Sequence, residues 1–135
     1  MLNTAKPFYK TEYGAAYLGD AKEILANKSL EGTVDLIMTS PPFALRRKKE
    51  YGNVEAAEYV AWFLDFARVF YRILKPKGSL VIHIGGSWTR GQPTKSLYQY
   101  ELLIELCRDP VYKFFLAQEF FWYNPAKLPV SYTHL

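Results

Sequence analysis

The sequence predicts an α/β fold in which a mostly parallel sheet is flanked by helices. Two observations support this prediction. The chain opens with a strand–helix–strand pattern over Tyr13–Leu18, Ala21–Asn27 and Val34–Thr39, which is the order of a parallel α/β unit. A helical pattern over Glu55–Leu74 then precedes a second apolar strand at Ser79–Ile84. Apolar strands that alternate with helices are typical of parallel sheets.

The strand Val34–Thr39 ends in the most informative stretch of the chain. It is short, rich in branched apolar residues and bounded by breakers, so we expect a buried strand. Ser40 is followed by Pro41 and Pro42, which donate no backbone hydrogen bonds and have a fixed φ, so the strand must stop there. Phe43 adds an aromatic ring to this stiff corner. Because open α/β sheets bind ligands at the carboxyl ends of their strands, the corner is the predicted active site.

The remaining elements follow from periodicity and stop signals. The helix at Glu55–Leu74 has one apolar stripe and ends at the Lys75–Gly78 stretch, which holds a proline and a glycine. Ser96 is expected to cap a helix over Leu97–Arg108, and Phe114–Tyr123 is predicted to be an aromatic strand. The stripe consists of Tyr59, Phe63, Phe66, Phe70 and Ile73.

Composition bounds the class of protein. The 135 residues form one modest domain or a piece of a larger one, with a net charge of +4. This charge suits nucleic acid and an ordinary basic surface about equally. The single cysteine, Cys107, rules out an internal disulfide and an all-cysteine metal site, and no metal is predicted. The sequence holds no apolar run of transmembrane length and no signal peptide, so we expect a cytoplasmic protein.

Thr39-Ser40-Pro41-Pro42-Phe43 resembles the catalytic motif of amino-methyltransferases that act on DNA. The serine form is usual in cytosine-N4 enzymes of restriction–modification systems, whereas adenine-N6 enzymes more often carry Asp or Asn at position 40. The segments Thr11–Asp20, Ala44–Asn53 and Asn124–Pro129 also look like modification methyltransferases of the PvuII type. This resemblance implies a Rossmann-like, S-adenosylmethionine-dependent methyltransferase fold that is incomplete in this chain.

The resemblance also implies roles for single residues. Ser40 and the Pro41 carbonyl would accept hydrogen bonds from an amino group, Pro42 would stiffen the corner, and Phe43 would stack on a flipped-out cytosine. Asp20 would lie near S-adenosylmethionine, although it is equally a candidate cap for the helix that follows it. His83 is expected to be a core or sheet histidine rather than a general base. The residues expected to bind DNA phosphates are Arg46, Arg47, Lys48 and Lys49, and those matched to the far side of the target base are Trp122, Tyr123, Asn124 and Lys127.

Residues 1–129 are expected to be the catalytic half of the methyltransferase domain. Residues 130–135 look like translated adapter sequence and are expected to be an artefactual tail. In the family, a target-recognition region and a Gly-rich loop follow the catalytic half. Tyr13–Leu18 would be strand 3 of the family sheet and Val34–Thr39 strand 4, so the strands between them are missing. We therefore expect an open apolar strand edge, poor folding and no activity in these residues alone.

The expected partners are double-stranded DNA and S-adenosylmethionine, with a cognate restriction endonuclease as a functional rather than physical partner; no membrane partner is expected. Two alternatives stay open from sequence. The protein is an adenine-N6 DNA methyltransferase, or it is a non-catalytic nucleic-acid-binding remnant that uses the cations from Arg46 to Lys49 together with its aromatic residues.

Overall fold

The computed structural model describes residues 6–42, 56–89 and 91–122 of the chain. These residues form four strands and three α-helices, with one short 3-10 helix at Lys28–Leu30. In chain order the elements are β1 (Tyr9–Lys10), β2 (Ala15–Ala16), α1 (Ala21–Leu25), β3 (Val34–Thr39), α2 (Ala56–Ile73), β4 (Leu74–Ile82) and α3 (Tyr98–Arg108). No helix in this described part of the chain is long and apolar enough to cross a membrane.

The strands β3 and β4 form the predicted parallel pair. Their regular register runs from Leu36 opposite Ser79 to Thr39 opposite Ile82. Val34 pairs with Leu74, and the register shifts between Val34 and Leu36, so Lys75–Gly78 bulges out of the ladder. The expected strand start at Ser79 therefore coincides with the start of the regular pairing.

The core lies between α2 and α3. Apolar residues at four-residue spacing on α2 face matching residues on α3, as the predicted stripe requires. Tyr59 and Tyr98 meet edge to face, with ring centroids 4.8 Å apart. Ile37 of β3 and Leu80 of β4 pack against this cluster from one face of the sheet. The buried members are Tyr59, Phe63, Ala67, Phe70, Tyr98, Leu102, Leu106 and Tyr112.

The prediction that β3 is a buried strand is wrong for the described residues. Leu36 is 57% exposed and Met38 is 76% exposed, whereas Ile37, on the opposite face, packs on the core. The reason is that the described helices cover only one face of the two-stranded sheet. An apolar face of the sheet is thus left open among the described residues.

The predicted N-terminal strand is also corrected. Only Ala15 and Ala16 of the Tyr13–Leu18 segment form a strand, and they pair antiparallel with Tyr9–Lys10. The backbone N–H of Thr11 closes this hairpin by donating to the Gly14 carbonyl at 2.8 Å. Because β1 satisfies these backbone groups locally, the segment does not join the sheet of β3 and β4 as a parallel strand.

The C-terminal segment differs from its prediction as well. Helix α3 begins at Tyr98 and has Leu97, not Ser96, as its N-cap residue, with no side-chain cap hydrogen bond from Leu97. Ser96 lies one residue earlier, and its hydroxyl accepts a hydrogen bond from the Tyr98 backbone N–H at 3.3 Å. Residues 114–122, however, form no strand. Their aromatic residues form one adjacent pair, Phe114-Phe115, and one run of three, Phe120-Phe121-Trp122, rather than an alternating pattern. No described strand lies beside them to complete a ladder. Phe115 and Phe121 are each 88% exposed.

Candidate active site at the ends of two parallel strands

The Ser40 corner lies where the sequence places it, at the carboxyl end of β3. Ser40 is exposed, Pro41 is buried and Pro42 is half-buried. The buried Pro41 fixes the direction in which the chain leaves the sheet, because its φ is locked and its ring is packed. The Ser40 hydroxyl is therefore held at the carboxyl end of the strand on a backbone with little conformational freedom.

His83 lies directly beside Ser40, at the end of the neighbouring strand. Thr39 pairs with Ile82 in the register, and the His83 backbone N–H donates to the Thr39 carbonyl at 2.9 Å. Ser40 Oγ and His83 Nδ1 are 3.1 Å apart, which is hydrogen-bond distance. The structure thus brings together two polar side chains that are 43 residues apart in the chain.

The expectation of a core histidine is therefore wrong, whereas the sheet alternative holds for the backbone, which continues the pairing of β3 and β4. Its side chain is exposed and contacts the predicted catalytic serine. A sequence signal for this position exists: His83 follows the apolar Leu80–Ile82 run just as Ser40 follows β3. The carboxyl ends of neighbouring parallel strands meet at one edge of a sheet, so both polar residues qualify by the same rule.

Helix α3 holds the turn that follows His83. The Tyr98 hydroxyl donates a hydrogen bond to the Gly85 carbonyl. The backbone N–H of Ser96 donates to the carbonyl of the buried Ser87 at 2.8 Å. A side chain at Gly86 would place its Cβ 3.2 Å from Gln99 Oε1, so helix and turn approach closely. These contacts fix the chain immediately after the histidine.

Trp122 approaches the same site from the C-terminal segment. Its ring centroid lies 6.4 Å from that of His83, with the two planes at 51°. The indole is 84% exposed, so one aromatic face of the site is open to solvent. This placement agrees with the expectation that the segment borders the target base, although the role itself stays a prediction.

The described structure does not bring Asp20 to this corner, and the remaining predicted site residues lie outside the residues that it describes. Asp20 caps α1, and its Oδ1 accepts a hydrogen bond from the Lys22 backbone N–H at 2.7 Å, which confirms the capping alternative. Among described residues, no hydrogen bond or ion pair joins Asp20 to Ser40. The predicted residues that lie outside the described ones are Phe43, Arg46, Arg47, Lys48, Lys49, Tyr123, Asn124 and Lys127.

Comparison with known proteins decides the family. A family model described as DNA methylase matches residues 34–134, a span that includes both strand ends of the site. The chain belongs to the DNA methylase family. It is 52% identical over 130 residues to the type II methyltransferase M.PvuII of Proteus hauseri, and 33% identical over 86 residues to M.BamHI of Bacillus amyloliquefaciens.

The fold is that of the same family. A solved structure of a PvuII DNA methyltransferase described as cytosine-N4-specific matches with a TM-score of 0.79 and 48% identity, over 95% of this chain. The alignment with M.PvuII covers 96% of this chain but only 38% of the length of M.PvuII. The match to the solved structure covers 45% of the solved chain. The match to M.BamHI covers 62% of this chain and 20% of that protein. The predicted incomplete methyltransferase fold is confirmed.

Proposed function

We propose that residues 1–129 form the catalytic half of a site-specific DNA methyltransferase of a restriction–modification system. The reaction transfers a methyl group from S-adenosylmethionine to the N4 amino group of a flipped-out cytosine. The observation that carries the proposal is the exposed Ser40 hydroxyl on a proline-stiffened corner at the carboxyl end of a parallel strand. The names of the related enzymes support the substrate and the position methylated.

The residue types at the corner suit this chemistry. An exocyclic amino group is a weak nucleophile because its lone pair is delocalised into the ring. Hydrogen-bond acceptors around the nitrogen favour its pyramidal form and stabilise the positive charge that develops during methyl transfer. Ser40 Oγ and the Pro41 carbonyl are the proposed acceptors. Pro42 keeps both in place, so little ordering cost falls on the reaction itself.

Phe43 is the proposed stacking partner of the flipped base. The target must leave the duplex because its amino group is otherwise engaged in base pairing. Stacking of one base on an aromatic side chain contributes roughly 1–3 kcal/mol. Trp122, whose ring centroid lies 6.4 Å from that of His83, is proposed to offer a second aromatic surface. The four cations from Arg46 to Lys49 are proposed to contact phosphates. Neutralising one of them is expected to reduce the slope of log affinity against log salt by about 1.

S-adenosylmethionine, when bound, supplies a methyl group activated by a positively charged sulfur. The described residues fit part of this cofactor: Asp20 presents an exposed carboxylate at a turn between a strand and a helix, and carboxylates bind hydroxyl and amino groups well. The remaining contacts are proposed to come from the rest of the longer protein, so residues 1–129 alone are expected to be inactive. Experiments therefore use the full-length protein, obtained from the uninterrupted reading frame beyond Pro129.

The central experiment replaces Ser40 by Ala in that full-length protein. We expect methylation to fall to a small residual rate, measurable in single-turnover assays, while DNA binding is kept, because the hydroxyl acts on the amino group and not on the duplex. Ser79→Ala is the matched control, since Ser79 is an exposed serine at the opposite end of the same sheet. A Ser40→Ala variant as active as the parent would remove Ser40 from the mechanism.

Digestion of the methylated DNA to nucleosides identifies the product. N4-methylcytosine is the expected nucleoside, and N6-methyladenine would assign the protein to the alternative amino-methyltransferase class. DNA binding without any methylated nucleoside, in a full-length protein that binds S-adenosylmethionine, would favour the non-catalytic alternative.

A second experiment separates the two roles of Asp20. Asn retains the capping oxygen but removes the negative charge, so Asp20→Asn is expected to preserve thermal stability and to weaken S-adenosylmethionine binding roughly tenfold. Titration calorimetry measures the affinity. Unchanged affinity in Asp20→Asn would limit this residue to capping α1.

A further inference from the structure

His83 and Ser40 occupy equivalent positions on two paired strands. Each follows the last paired residue of its strand, because Thr39 pairs with Ile82. The backbone hydrogen bond from His83 N to Thr39 O, at 2.9 Å, ties the histidine to the residue that precedes Ser40. The distance of 3.1 Å between Ser40 Oγ and His83 Nδ1 is therefore set by the strand register.

Whether Nδ1 carries a proton decides the direction of this hydrogen bond, and in the neutral imidazole this depends on the tautomer. A serine hydroxyl has one proton to donate and two lone pairs that accept. When Nδ1 carries no proton it accepts the Ser40 proton, and both lone pairs of Oγ stay available to an amino group. When both ring nitrogens are protonated, Nδ1 donates to Oγ. One lone pair is then used, and the hydroxyl proton turns toward the amino hydrogens.

We propose that His83 is a positioning residue, which in its neutral form with the proton on Nε2 orients the Ser40 hydroxyl as an acceptor for the target amino group. The inference rests on the proposed function, since it assigns a role to His83 through Ser40. Methyl transfer consequently requires neutral His83 and slows as the imidazole is protonated.

The surroundings of the imidazole are compatible with this role. The groups that face it include the Ser40 hydroxyl at the end of β3 and the Trp122 ring of the C-terminal segment, and neither is charged at neutral pH. Asp35 of β3 and Lys75 of β4 form an ion pair of 2.7 Å at the opposite end of the sheet. The histidine itself is exposed, so protons reach it from solvent.

The test is the pH dependence of the single-turnover methyl-transfer rate in the full-length protein. We expect a decline on the acid side in the parent. His83→Ala is expected to slow the reaction about tenfold at pH 8, which corresponds to the loss of one hydrogen bond, and to lack the acid decline. In His83→Asn the side-chain oxygen lies near the place of Nδ1, accepts a hydrogen bond and does not titrate. This variant is expected to recover most of the lost rate, also without the acid decline.

A double-mutant cycle separates positioning from a merely structural role. If His83 acts through Ser40, then His83→Ala costs nothing further in a Ser40→Ala background. Additive losses would overturn the proposal, as would an acid decline that persists in His83→Asn. Thermal melts and DNA binding are measured at each pH, so that a rate decline caused by unfolding is recognised and counted against the proposal.

The same experiments distinguish this proposal from the proposed function. A strongly slowed Ser40→Ala protein together with His83 variants that keep the parental rate and pH profile would overturn the role of His83 alone. A fully active Ser40→Ala protein would instead remove the assignment of Ser40, and with it the basis for the role of His83.

Discussion

Gly78 is the residue at which the smallest substitution should disturb the geometry of the site. It lies at the end of the bulge between the Val34–Leu74 pair and the regular ladder. A Cβ added at Gly78 would lie 2.8 Å from Leu74 Cδ2, 3.0 Å from the Val34 carbonyl oxygen and 3.1 Å from the Lys75 carbonyl oxygen. Two of these three neighbours are backbone atoms, one from each strand.

The cost of Gly78→Ala follows from how these neighbours can move. Leu74 is only 8% exposed, so its side chain has little room to turn away. The two carbonyls must therefore shift by a few tenths of an ångström. Overpacking of this kind typically costs about 1–3 kcal/mol. Replacing glycine by alanine also restricts the unfolded chain, which offsets about 0.4–1 kcal/mol. The net expectation is a loss of about 1–2 kcal/mol in the free energy of unfolding.

Urea denaturation of the full-length protein measures this loss, with Gly14→Ala as the matched control. At Gly14 the nearest atom to an added Cβ is Thr11 Oγ1, at 3.8 Å, which is an ordinary contact. The control is expected to be neutral or slightly more stable. Because the shift begins at the start of the ladder that aligns Ser40 with His83, Gly78→Ala should also slow methyl transfer. A Gly78→Ala protein with the parental unfolding free energy would refute the argument.

Two further predictions concern stability. Burial raises the pKa of Tyr59, and its hydroxyl has no hydrogen-bond partner among the described residues. Because the hydroxyl is buried without a partner, Tyr59→Phe should raise the free energy of unfolding by about 1 kcal/mol in urea denaturation. A loss of stability in Tyr59→Phe would mean that the hydroxyl is hydrogen-bonded. Partial burial raises the pKa of Asp109, but the backbone N–H groups of Tyr112 and Val111 donate to its carboxylate, at 3.1 and 2.7 Å, and the net pKa is lowered. A lowered folded-state pKa gives stability that is present above the unfolded pKa and lost as the pH falls through the folded one, so Asp109→Asn should lose less stability than the parent between pH 5 and about 3. Asp65→Asn, in which only an exposed pair with Arg68 at 3.8 Å is removed, should follow the parental pH curve; equal curves for all three proteins would refute the linkage.

The local sequence pattern was sufficient to predict the helices and strands whose boundaries are set by their own residues. The stripe on α2 and the breakers around β3 predicted both elements to within a few residues, because periodicity and proline act within a few positions. The same reasoning was wrong for Tyr13–Leu18 and Phe114–Tyr123. Whether those segments join a sheet depends on which strand lies beside them, and this is a property of the whole fold.

The Ser40–His83 contact shows the same limit within the site itself. Ser40 was predictable, because the two prolines after it mark a strand end by their own chemistry. The sequence also marks His83 as the residue that follows the next apolar run, but not whether its side chain reaches Ser40, because a shift of one residue in strand pairing turns every side chain to the other face. The bulge at Lys75–Gly78 decides that pairing, since it absorbs extra residues between Leu74 and Ser79 and so brings Ile82 opposite Thr39. The glycine that permits the bulge is thus coupled to the histidine five residues further on. For this reason, Gly78→Ala should reduce stability. It should also make the effect of His83→Ala on the methyl-transfer rate smaller than that effect is in the parent protein.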